Sequence, residues 1–294
     1  MSSSTVQIKT GTALGEQDFA PPASRHLGAG TWGLGEQTDI ERSQQLALMR
    51  EGKLGSIHSW ELVTAVDGPG TRMTVFMNGC PLRCLYCHNP DTFNMKDGQP
   101  IELTELLKKL KRYKKVFKST GGGLTISGGE VLMQRAFAWN LLMSAKSLGI
   151  HTCIDTSGFL GAAATDDFLE SVDLVLLDVK SGDEETYQKL TGRALQPTID
   201  FGDRLNSLGK ETWIRFVAVP GYTDSFENVE KVAEIVSRWK STVSRVEVLP
   251  FHQMGTDKWK TLGLDYKLDG VQPPSKEETE RIRNQFRARG LIVF

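Results

Sequence analysis

Short apolar runs alternate with longer amphipathic stretches from residue 54 to the C-terminus. Strands are predicted from the apolar and alternating runs at 57–63, 72–76, 124–127, 151–155, 174–178, 212–219 and 243–249. Helices are predicted where apolar residues recur at helical spacing, at 104–117, 134–148, 227–240 and 275–289. Strands that alternate with helices favour a parallel sheet with crossover helices. The fold class is therefore predicted as α/β: the strand–helix units from residue 72 onward form a partial (β/α)6 barrel, or an open sheet curving toward one, with 291–294 as a terminal strand.

The first 52 residues differ in composition from the rest. They are rich in Ser, Thr, Gly, Gln and Glu and contain Pro21-Pro22, so we predict a flexible, mostly disordered N-terminal extension with a helix at about 39–50. The run from Gly28 to Gly33 matches the G-x-G-x-x-G fingerprint of dinucleotide-binding folds. It follows a Pro-Pro-containing segment and no buried strand, so we interpret the match as chance. Residues 53–294 are predicted to form one core domain.

Overall charge and composition narrow the function classes. The chain has 294 residues, of which 39% are hydrophobic and 24% charged, as in ordinary globular proteins. Its 35 basic and 36 acidic residues nearly cancel, which predicts no nucleic-acid or membrane partner. No apolar run approaches the ~20 residues that span a bilayer, and the N-terminus lacks the pattern of a secretory signal. Clustered cysteines, odd in number, indicate a reducing compartment, so the protein is predicted to be cytoplasmic.

Cys80, Cys84 and Cys87 are spaced C-x3-C-x2-C on one short segment. Three neighbouring thiolates suit a soft metal centre, and they are one fewer than an ordinary iron–sulfur cluster needs. A [4Fe-4S] cluster held in this way keeps one iron open for a small molecule. The spacing, with the aromatic Tyr86 before the last cysteine, resembles the signature of the radical S-adenosylmethionine (SAM) superfamily. The alternatives are a structural zinc site with His88 as fourth ligand and a catalytic pair of Cys84 and Cys87, which would leave Cys80 unexplained.

Polar residues and glycines follow one predicted strand after another. The runs are Asn78-Gly79-Cys80, Ser127-Gly128-Gly129-Glu130, Asp155-Thr156-Ser157, Asp178-Val179-Lys180 and Pro250-Phe251-His252, with Arg215 inside a strand. Ligands of parallel α/β folds bind at the carboxyl ends of the strands, so these residues are predicted to line one site.

Several of these residues also have a simpler, purely structural interpretation. Gly128 and Gly129 let backbone amides approach a ligand, or they only form a turn. Asp178 and Lys180 meet a ligand's charged groups, or they form a surface ion pair. Asp155 beside Asp178 favours a cation between the two carboxylates. His252 binds the ligand or is merely packed.

Taken together, the chain is similar to the pyruvate formate-lyase activating enzymes, a branch of the radical SAM superfamily. The resemblance extends over residues 54–294 and rests on segments at 57–59, 66–70, 79–89, 121–130, 151–156, 176–180, 213–215, 249–252 and 266–271. It implies a partial (β/α)6 barrel of the radical SAM type. The segment after Asp155-Thr156 departs from the pattern, because Ser157 stands where Asn is common.

The resemblance also implies a role for each matching residue. The cluster ligands, which are also the catalytic residues, would be Cys80, Cys84 and Cys87. SAM would contact Tyr86, Cys87, His88, Gly129, Asp178, Val179, Lys180 and His252. A monovalent cation would bind Asp155, Thr156 and Asp178, and the substrate peptide would face Asp67 and Arg215. Cys153, inside a strand, is predicted to be a buried small hydrophobe without a cluster role.

The implied activity is anaerobic activation of pyruvate formate-lyase, with a flavodoxin or ferredoxin as electron donor and the activating protein acting as a monomer. The basic residues of 104–117 are interpreted as a solvated face, with docking of an acidic electron donor as the alternative. The rival functions are activation of another glycyl-radical enzyme, such as a dehydratase or the anaerobic ribonucleotide reductase, and a non-enzymatic zinc-binding regulator. Dehydratase-type activases often carry an inserted ferredoxin-like module, and the single spare cysteine here indicates that this insert is absent.

Overall fold

The computed structural model describes residues 30–37, 40–64 and 66–294, and within them eight strands form one sheet. In chain order the strands are β1 (Leu54–Thr64), β2 (Thr71–Met77), β3 (Gln99–Glu102), β4 (Gly123–Gly128), β5 (His151–Thr156), β6 (Leu174–Asp178), β7 (Thr212–Ala218) and β8 (Val243–Pro250). Their order in the sheet is β3-β1-β2-β4-β5-β6-β7-β8. From β2 to β8 each neighbouring pair is parallel. The predicted open parallel sheet of six units is confirmed.

Nine α-helices lie within the described ranges. They are α1 (Arg42–Arg50), α2 (Leu103–Thr120), α3 (Arg135–Ser147), α4 (Asp166–Glu170), α5 (Glu184–Thr191), α6 (Gln196–Ser207), α7 (Phe226–Ser237), α8 (Thr256–Thr261) and α9 (Lys276–Ala288). Of these, α2 to α7 connect the parallel strands, whereas α1 precedes β1, and α8 and α9 follow β8. The four helices predicted in the core domain correspond to α2, α3, α7 and α9. The sequence did not resolve the shorter α4, α5, α6 and α8. None of the helices in the described ranges has the length and apolarity to cross a bilayer.

The two strands at the β3 edge break the parallel pattern. β1 pairs antiparallel with β2, and β3 pairs antiparallel with β1. The short connection around Gly68 and Gly70 can join only antiparallel neighbours, because a parallel pair needs a long crossover. β3 was not predicted, since its four residues include Pro100 and show no periodicity; proline is tolerated there because β3 lies at the edge of the sheet.

Side chains on one face of the sheet change from apolar to charged along the strands. Near the amino ends of the strands, Cys153, Leu174 and Leu176 pack together, and each is at most 1% exposed. Two residues further along two of these strands are Asp155 and Asp178, because side chains on one face recur with period two. The predicted packing of Cys153 is confirmed. This face of the sheet is therefore apolar near the amino ends of the strands and charged near their carboxyl ends.

Part of the N-terminal extension lies within the described residues. Helix α1 agrees with the helix predicted at 39–50. Residues 30–37 lie along the sheet edge, where Glu36 bridges to Ile101 of β3 and the amide of Trp60 donates to the carbonyl of Gly30 at 3.0 Å. The predicted disorder concerns mainly residues 1–29 and 38–39, which lie outside the described part. The glycine motif falls partly there too, and its described part is a turn that no helix follows directly.

The C-terminal prediction is only partly met. Residues 291–294 do not form a full strand. Val293 instead makes a single parallel bridge to Val246 of β8.

Candidate active site

A cavity of about 480 Å³ opens at the carboxyl ends of the parallel strands. That volume lies within the range of small-molecule sites, about 300–1,000 Å³. Its lining includes the predicted site residues Asp67, Cys80, Cys84, Tyr86, Cys87, His88, Gly129, Asp155, Thr156, Asp178, Lys180, Arg215 and His252. The cavity brings together residues from distant parts of the chain. Asp67 and His252, which are 185 positions apart (252 − 67), both line it.

The cysteine loop leaves β2 and is fixed by backbone hydrogen bonds on two sides. The amide of Cys80 donates to the carbonyl of Phe93 at 3.2 Å, where the chain returns past the loop. On the other side, the amides of Arg83 and Leu85 donate to the carbonyls of Thr191 and Leu190, at 2.8 and 3.0 Å. Those carbonyls are at the C-terminal end of α5, whose last carbonyls have no partner within the helix. The end of α5 therefore positions the residues on both sides of the second cysteine, Cys84.

The three thiols of this loop are free and largely shielded from water. Burial raises the pKa of all three, to about 12 for Cys80. Neutral thiols are therefore the state of the chain by itself at pH 7. Metal ligation needs thiolates, so binding of an iron–sulfur cluster releases protons from these residues.

Asp183 stabilises α5 and through it the cysteine loop. Its side chain caps the helix by accepting from the amide of Thr186 at 3.0 Å and pairs with Lys231 at 2.6 Å. The hydrogen bond from Lys231, followed by that from Thr186, lowers the pKa of Asp183 to about 2. An acid with a lowered folded-state pKa stabilises the fold above its unfolded pKa, and this contribution is lost as the pH falls through the folded value.

Replacement of Asp183 by alanine should therefore lower the free energy of unfolding by about 1 kcal/mol at pH 7, as for other helix caps. The loss should shrink as the pH falls from about 4 toward 2, where wild-type Asp183 also takes up a proton. Denaturant unfolding across this pH range measures the effect. Asp183→Asn, which keeps a capping oxygen, is the control and should lose less. A loss for Asp183→Ala that does not change with pH would contradict the assigned role.

Arg215 is the charge centre of the cavity. Its guanidinium contacts Asp155 at 3.2 Å, Asp67 at 3.3 Å and Glu247 at 3.3 Å, and it also donates to the carbonyl of Val66. Burial alone would lower the pKa of Arg215, but the carboxylates raise it. Burial raises the pKa of Asp155 to about 6, against the opposing effect of Arg215. One buried cation thus holds three carboxylates together.

Asp178 and Lys180 pair with each other at 2.7 Å in the cavity wall, and Lys180 is only 8% exposed. The predicted alternative of a surface ion pair is wrong, because the pair is largely buried. Lys180 also lies 5.6 Å from the centre of the Tyr86 ring. A bound amino acid would therefore meet an existing ion pair, and it would have to share these two charges.

The glycines after β4 are required by the packing of the backbone. Gly128 has φ +113°, and a Cβ at Gly129 would come within 2.3 Å of the Gly79 carbonyl oxygen. The amide of Gly129 donates to the carbonyl of Met77 at 2.7 Å. The end of β2 therefore uses this amide, so a ligand would have to approach other backbone groups of this turn. Gly129 still lines the cavity.

Val179 is also placed differently from expectation. Its side chain is fully buried in the main core, and its amide donates to the carbonyl of Arg215 at 3.0 Å. It lies outside the set of residues that line the cavity. The contact of Val179 with a ligand therefore stays a prediction, to which its buried side chain does not contribute.

The rings of His88 and His252 stack, with their centres 4.1 Å apart. Nε2 of His88 donates to the carbonyl oxygen of His252 at 3.1 Å. This bond occupies one ring nitrogen of His88, which was the alternative fourth ligand of a zinc site. Within the described ranges, no group of three or more His, Cys, Asp or Glu side chains converges on a position for a single metal ion.

Among the residues that the structure describes, three buried polar atoms of cavity-lining side chains have no hydrogen-bond partner: the Tyr86 hydroxyl, Oδ1 of Asp155 and Nδ1 of His252. Buried polar groups in native proteins are nearly always paired. Residues from three distant segments that line one cavity thus each carry an unpaired buried polar atom, which fits a polar ligand bound in that cavity. The three thiols at the same wall supply the soft donor set that an iron–sulfur cluster needs.

Two acidic side chains also organise the site. The sequence placed Glu130 among the strand-end residues without a specific role, and it did not single out Glu247. Glu130 is 1% exposed and accepts from the Thr156 hydroxyl at 2.6 Å and from the Ser157 hydroxyl at 2.5 Å. It thereby joins the ends of β4 and β5 and occupies the hydroxyl of Thr156. Glu247 lies beside Arg215 in the register of β7 and β8. The available signal for Glu247 was an acidic residue inside an apolar strand.

Comparison with known proteins agrees with this geometry. Residues 74–234 match the family model described as the radical SAM superfamily. The chain is 46% identical over 229 residues to the pyruvate formate-lyase-activating enzyme of Clostridium pasteurianum, covering 78% of this chain and 95% of that protein. It is 40% identical over 232 residues to the pyruvate formate-lyase 1-activating enzyme of Escherichia coli K12, covering 78% and 94%.

Solved structures support the fold. The chain is similar to Streptococcus suis SuiB bound to the precursor peptide SuiA, with a TM-score of 0.57 and 16% identity, over 88% of this chain and 56% of that one. A radical SAM methyltransferase from Sphaerobacter thermophilus gives a TM-score of 0.54 at 16% identity, over 89% and 76%. At these identities the likeness concerns the arrangement of strands and helices.

Proposed function

This chain belongs to the radical SAM superfamily, among the pyruvate formate-lyase-activating enzymes, and from that membership we propose how its cavity performs the activation. The protein is an enzyme that activates pyruvate formate-lyase under anaerobic conditions by generating a glycyl radical. Its cofactors are a [4Fe-4S] cluster and SAM. The observation that carries the proposal is the cavity where three thiols, three unpaired polar atoms and the Asp178–Lys180 pair meet.

Cys80, Cys84 and Cys87 would hold the cluster. When bound, the cluster and SAM supply a reductive cleavage that gives methionine and a 5′-deoxyadenosyl radical, which takes a hydrogen atom from the α-carbon of a glycine. The protein's own task is to bind, to orient and to exclude water. Burial of the cysteine loop in the cavity wall serves the last of these.

The remaining cavity residues would orient SAM. Tyr86, His88, His252 and the Asp178–Lys180 pair surround the space next to the thiols, and the Tyr86 hydroxyl and His252 Nδ1 offer unused hydrogen bonds. Asp178 and Lys180 already form an ion pair. Asp178 would pair with the ammonium group of SAM and Lys180 with its carboxylate, so both residues would exchange part of that ion pair for the ligand.

A monovalent cation at Asp155, Thr156 and Asp178 is supported by the unpaired Oδ1 of Asp155. Such an ion would compensate a carboxylate whose pKa is raised by burial.

Asp67 and Arg215 would contact the peptide that carries the glycine. Both line the cavity, and they pair with each other at 3.3 Å. A peptide backbone offers both donors and acceptors, so it could bind to the two halves of this pair at once.

The electron donor is proposed to be a flavodoxin or a ferredoxin. The exposed basic face of α2, which includes Lys111, Arg112, Lys114, Lys115 and Lys118, would suit an acidic partner. We propose that the enzyme acts as a monomer in the cytoplasm, where a reducing environment keeps the three thiols free for the cluster.

The experiment combines anaerobically reconstituted protein, SAM, a reductant and pyruvate formate-lyase. The expected result is the doublet of a glycyl radical in the electron paramagnetic resonance spectrum, with one 5′-deoxyadenosine formed per radical. A lyase whose acceptor glycine is replaced by alanine is the control and should give no doublet. A doublet with a dehydratase or with the anaerobic ribonucleotide reductase, and none with the lyase, would overturn the assignment.

A further inference from the structure

Asp91, just after the cysteine loop, is buried between two basic side chains. Its carboxylate contacts Nε2 of His58 at 2.9 Å and Nζ of Lys258 at 3.1 Å. All three residues are less than 10% exposed: His58 2%, Asp91 8% and Lys258 7%. Burial alone would raise the pKa of Asp91, but the hydrogen bonds and charges of His58 and Lys258 lower it. The carboxylate is therefore ionised and fixed from both sides.

The two basic side chains come from opposite parts of the chain. His58 belongs to β1, at the antiparallel edge of the sheet, and Lys258 belongs to α8, which follows the last strand. Asp91 lies in a single turn of 3-10 helix, Pro90–Thr92, which begins shortly after the third cysteine of the loop, Cys87. The network thus ties the exit of the cysteine loop to β1 and to α8.

Helix α8 contacts the same exit at two further points. Lys258 also donates to the side chain of Asn89 at 2.8 Å, and Nε1 of Trp259 donates to the carbonyl of Cys87 at 2.8 Å. A Cβ at Gly255 would come within 2.9 Å of that carbonyl oxygen, so the start of the helix lies directly against the loop. One short helix therefore fixes the third cysteine and the residues after it.

A buried ion pair such as Asp91–Lys258 contributes little net stability, because desolvation of the two charges offsets most of their attraction. What such a pair supplies is a fixed geometry. In metal sites, the groups that hydrogen-bond to the ligands fix their orientation, and their loss typically costs about 10–100-fold in metal affinity or activity.

We propose that His58, Asp91 and Lys258 are positioning residues for the cluster, which hold the exit of the cysteine loop so that Cys87 meets the iron together with Cys80 and Cys84. The inference rests on the proposed function, since it requires a cluster at these thiols. It assigns to β1 and α8 a part in cluster retention, although neither contributes a ligand.

The test compares the rate at which iron is lost to a chelator after anaerobic reconstitution. Lys258→Met and Asp91→Asn should each lose the cluster about tenfold faster than wild type or more. The double variant should recover part of the loss, because it leaves no unpaired buried charge. Trp259→Phe keeps the aromatic ring but removes the donor to Cys87, and it should lose iron faster even if Lys258→Met does not fold.

The matched control is Lys260→Met, which removes an exposed lysine from the same helix. It should lose iron at a rate within about twofold of wild type, since exposed charges contribute little. The cluster midpoint potential adds a reading that a general loss of stability would not produce. Lys258→Met removes a positive charge and should lower the potential, whereas Asp91→Asn removes a negative charge and should raise it.

Two outcomes separate this inference from the proposed function. If wild-type protein retains no iron, the proposed function fails and this inference fails with it. If wild type forms the glycyl radical while Lys258→Met and Trp259→Phe lose iron at the wild-type rate, only the positioning role is overturned. Faster iron loss that merely follows a lower melting temperature of the iron-free protein, with an unchanged potential, would also overturn it.

Discussion

Replacement of Cys84 by serine is expected to abolish formation of the glycyl radical and of 5′-deoxyadenosine. Groups that only hydrogen-bond to a metal ligand cost about 10–100-fold when they are removed, so loss of a ligand itself should cost more than about 100-fold. Cys84 is buried at the cavity wall between the other two thiols of the loop. A serine hydroxyl there is a harder donor than a thiolate and suits iron–sulfur chemistry poorly. Iron content, the cluster absorption band and 5′-deoxyadenosine yield measure the effect.

Cys153→Ala is the matched control. Cys153 is also buried, but it packs with Leu174 and Leu176 on the apolar part of the sheet face, away from the cysteine loop. Its loss should cost stability by about 1 kcal/mol through the small cavity left behind, and iron content should not change. If Cys84→Ser retained its iron and its 5′-deoxyadenosine production, the three-thiol cluster site would be wrong.

Replacement of Arg215 by methionine is expected to lower the free energy of unfolding by about 3–5 kcal/mol, the cost of breaking a buried ion pair. Asp67, Asp155 and Glu247 would then remain close together without their shared cation; the three acidic side chains are at most 16% exposed. Of the three, Glu247 would keep Arg245 as a partner at 3.2 Å. Denaturant unfolding of the iron-free protein measures the loss. Activation of the lyase should fall as well, because Arg215 is proposed to contact the peptide.

The loss of stability should depend on pH in a defined direction. Without Arg215 the three carboxylates repel one another and take up protons more readily in the folded state than in the unfolded chain. An acid with a raised folded-state pKa binds more protons when folded, so stability increases as the pH falls through that value. The difference between Arg215→Met and wild type should therefore be largest above pH 7 and smaller near pH 5.

Arg238→Met is the control for removal of an arginine. Arg238 pairs with Asp203 on the surface, where the two side chains are 49% and 43% exposed. Exposed ion pairs contribute at most about 1 kcal/mol, so this variant should remain close to wild type. An Arg215→Met protein as stable as Arg238→Met across the pH range would show that Arg215 does not compensate the carboxylates.

The succession of parallel strands was predictable because each of them appears in the sequence as a short apolar run. The alternation of apolar strands and amphipathic helices gave the six parallel units, and the C-x3-C-x2-C spacing gave the cysteine loop. The antiparallel edge was harder, since β3 consists of four residues without periodicity, and its pairing with β1 depends on a partner distant in sequence. Short helices such as α8 were not predicted either, since they too consist of a few residues without a clear periodicity.

The sequence by itself determined the order of the elements and the type of chemistry, because local periodicity and the spacing of three thiols need no distant partner. It also placed the polar residues at the strand ends, since parallel strands bring their carboxyl ends together. Only the tertiary structure decided how the charges pair: Arg215 with Asp67, Asp155 and Glu247, and Lys258 with Asp91 across 167 positions. A buried charge is stabilised by whichever opposite charge folding brings within about 3–4 Å of it, and that choice depends on packing between distant segments.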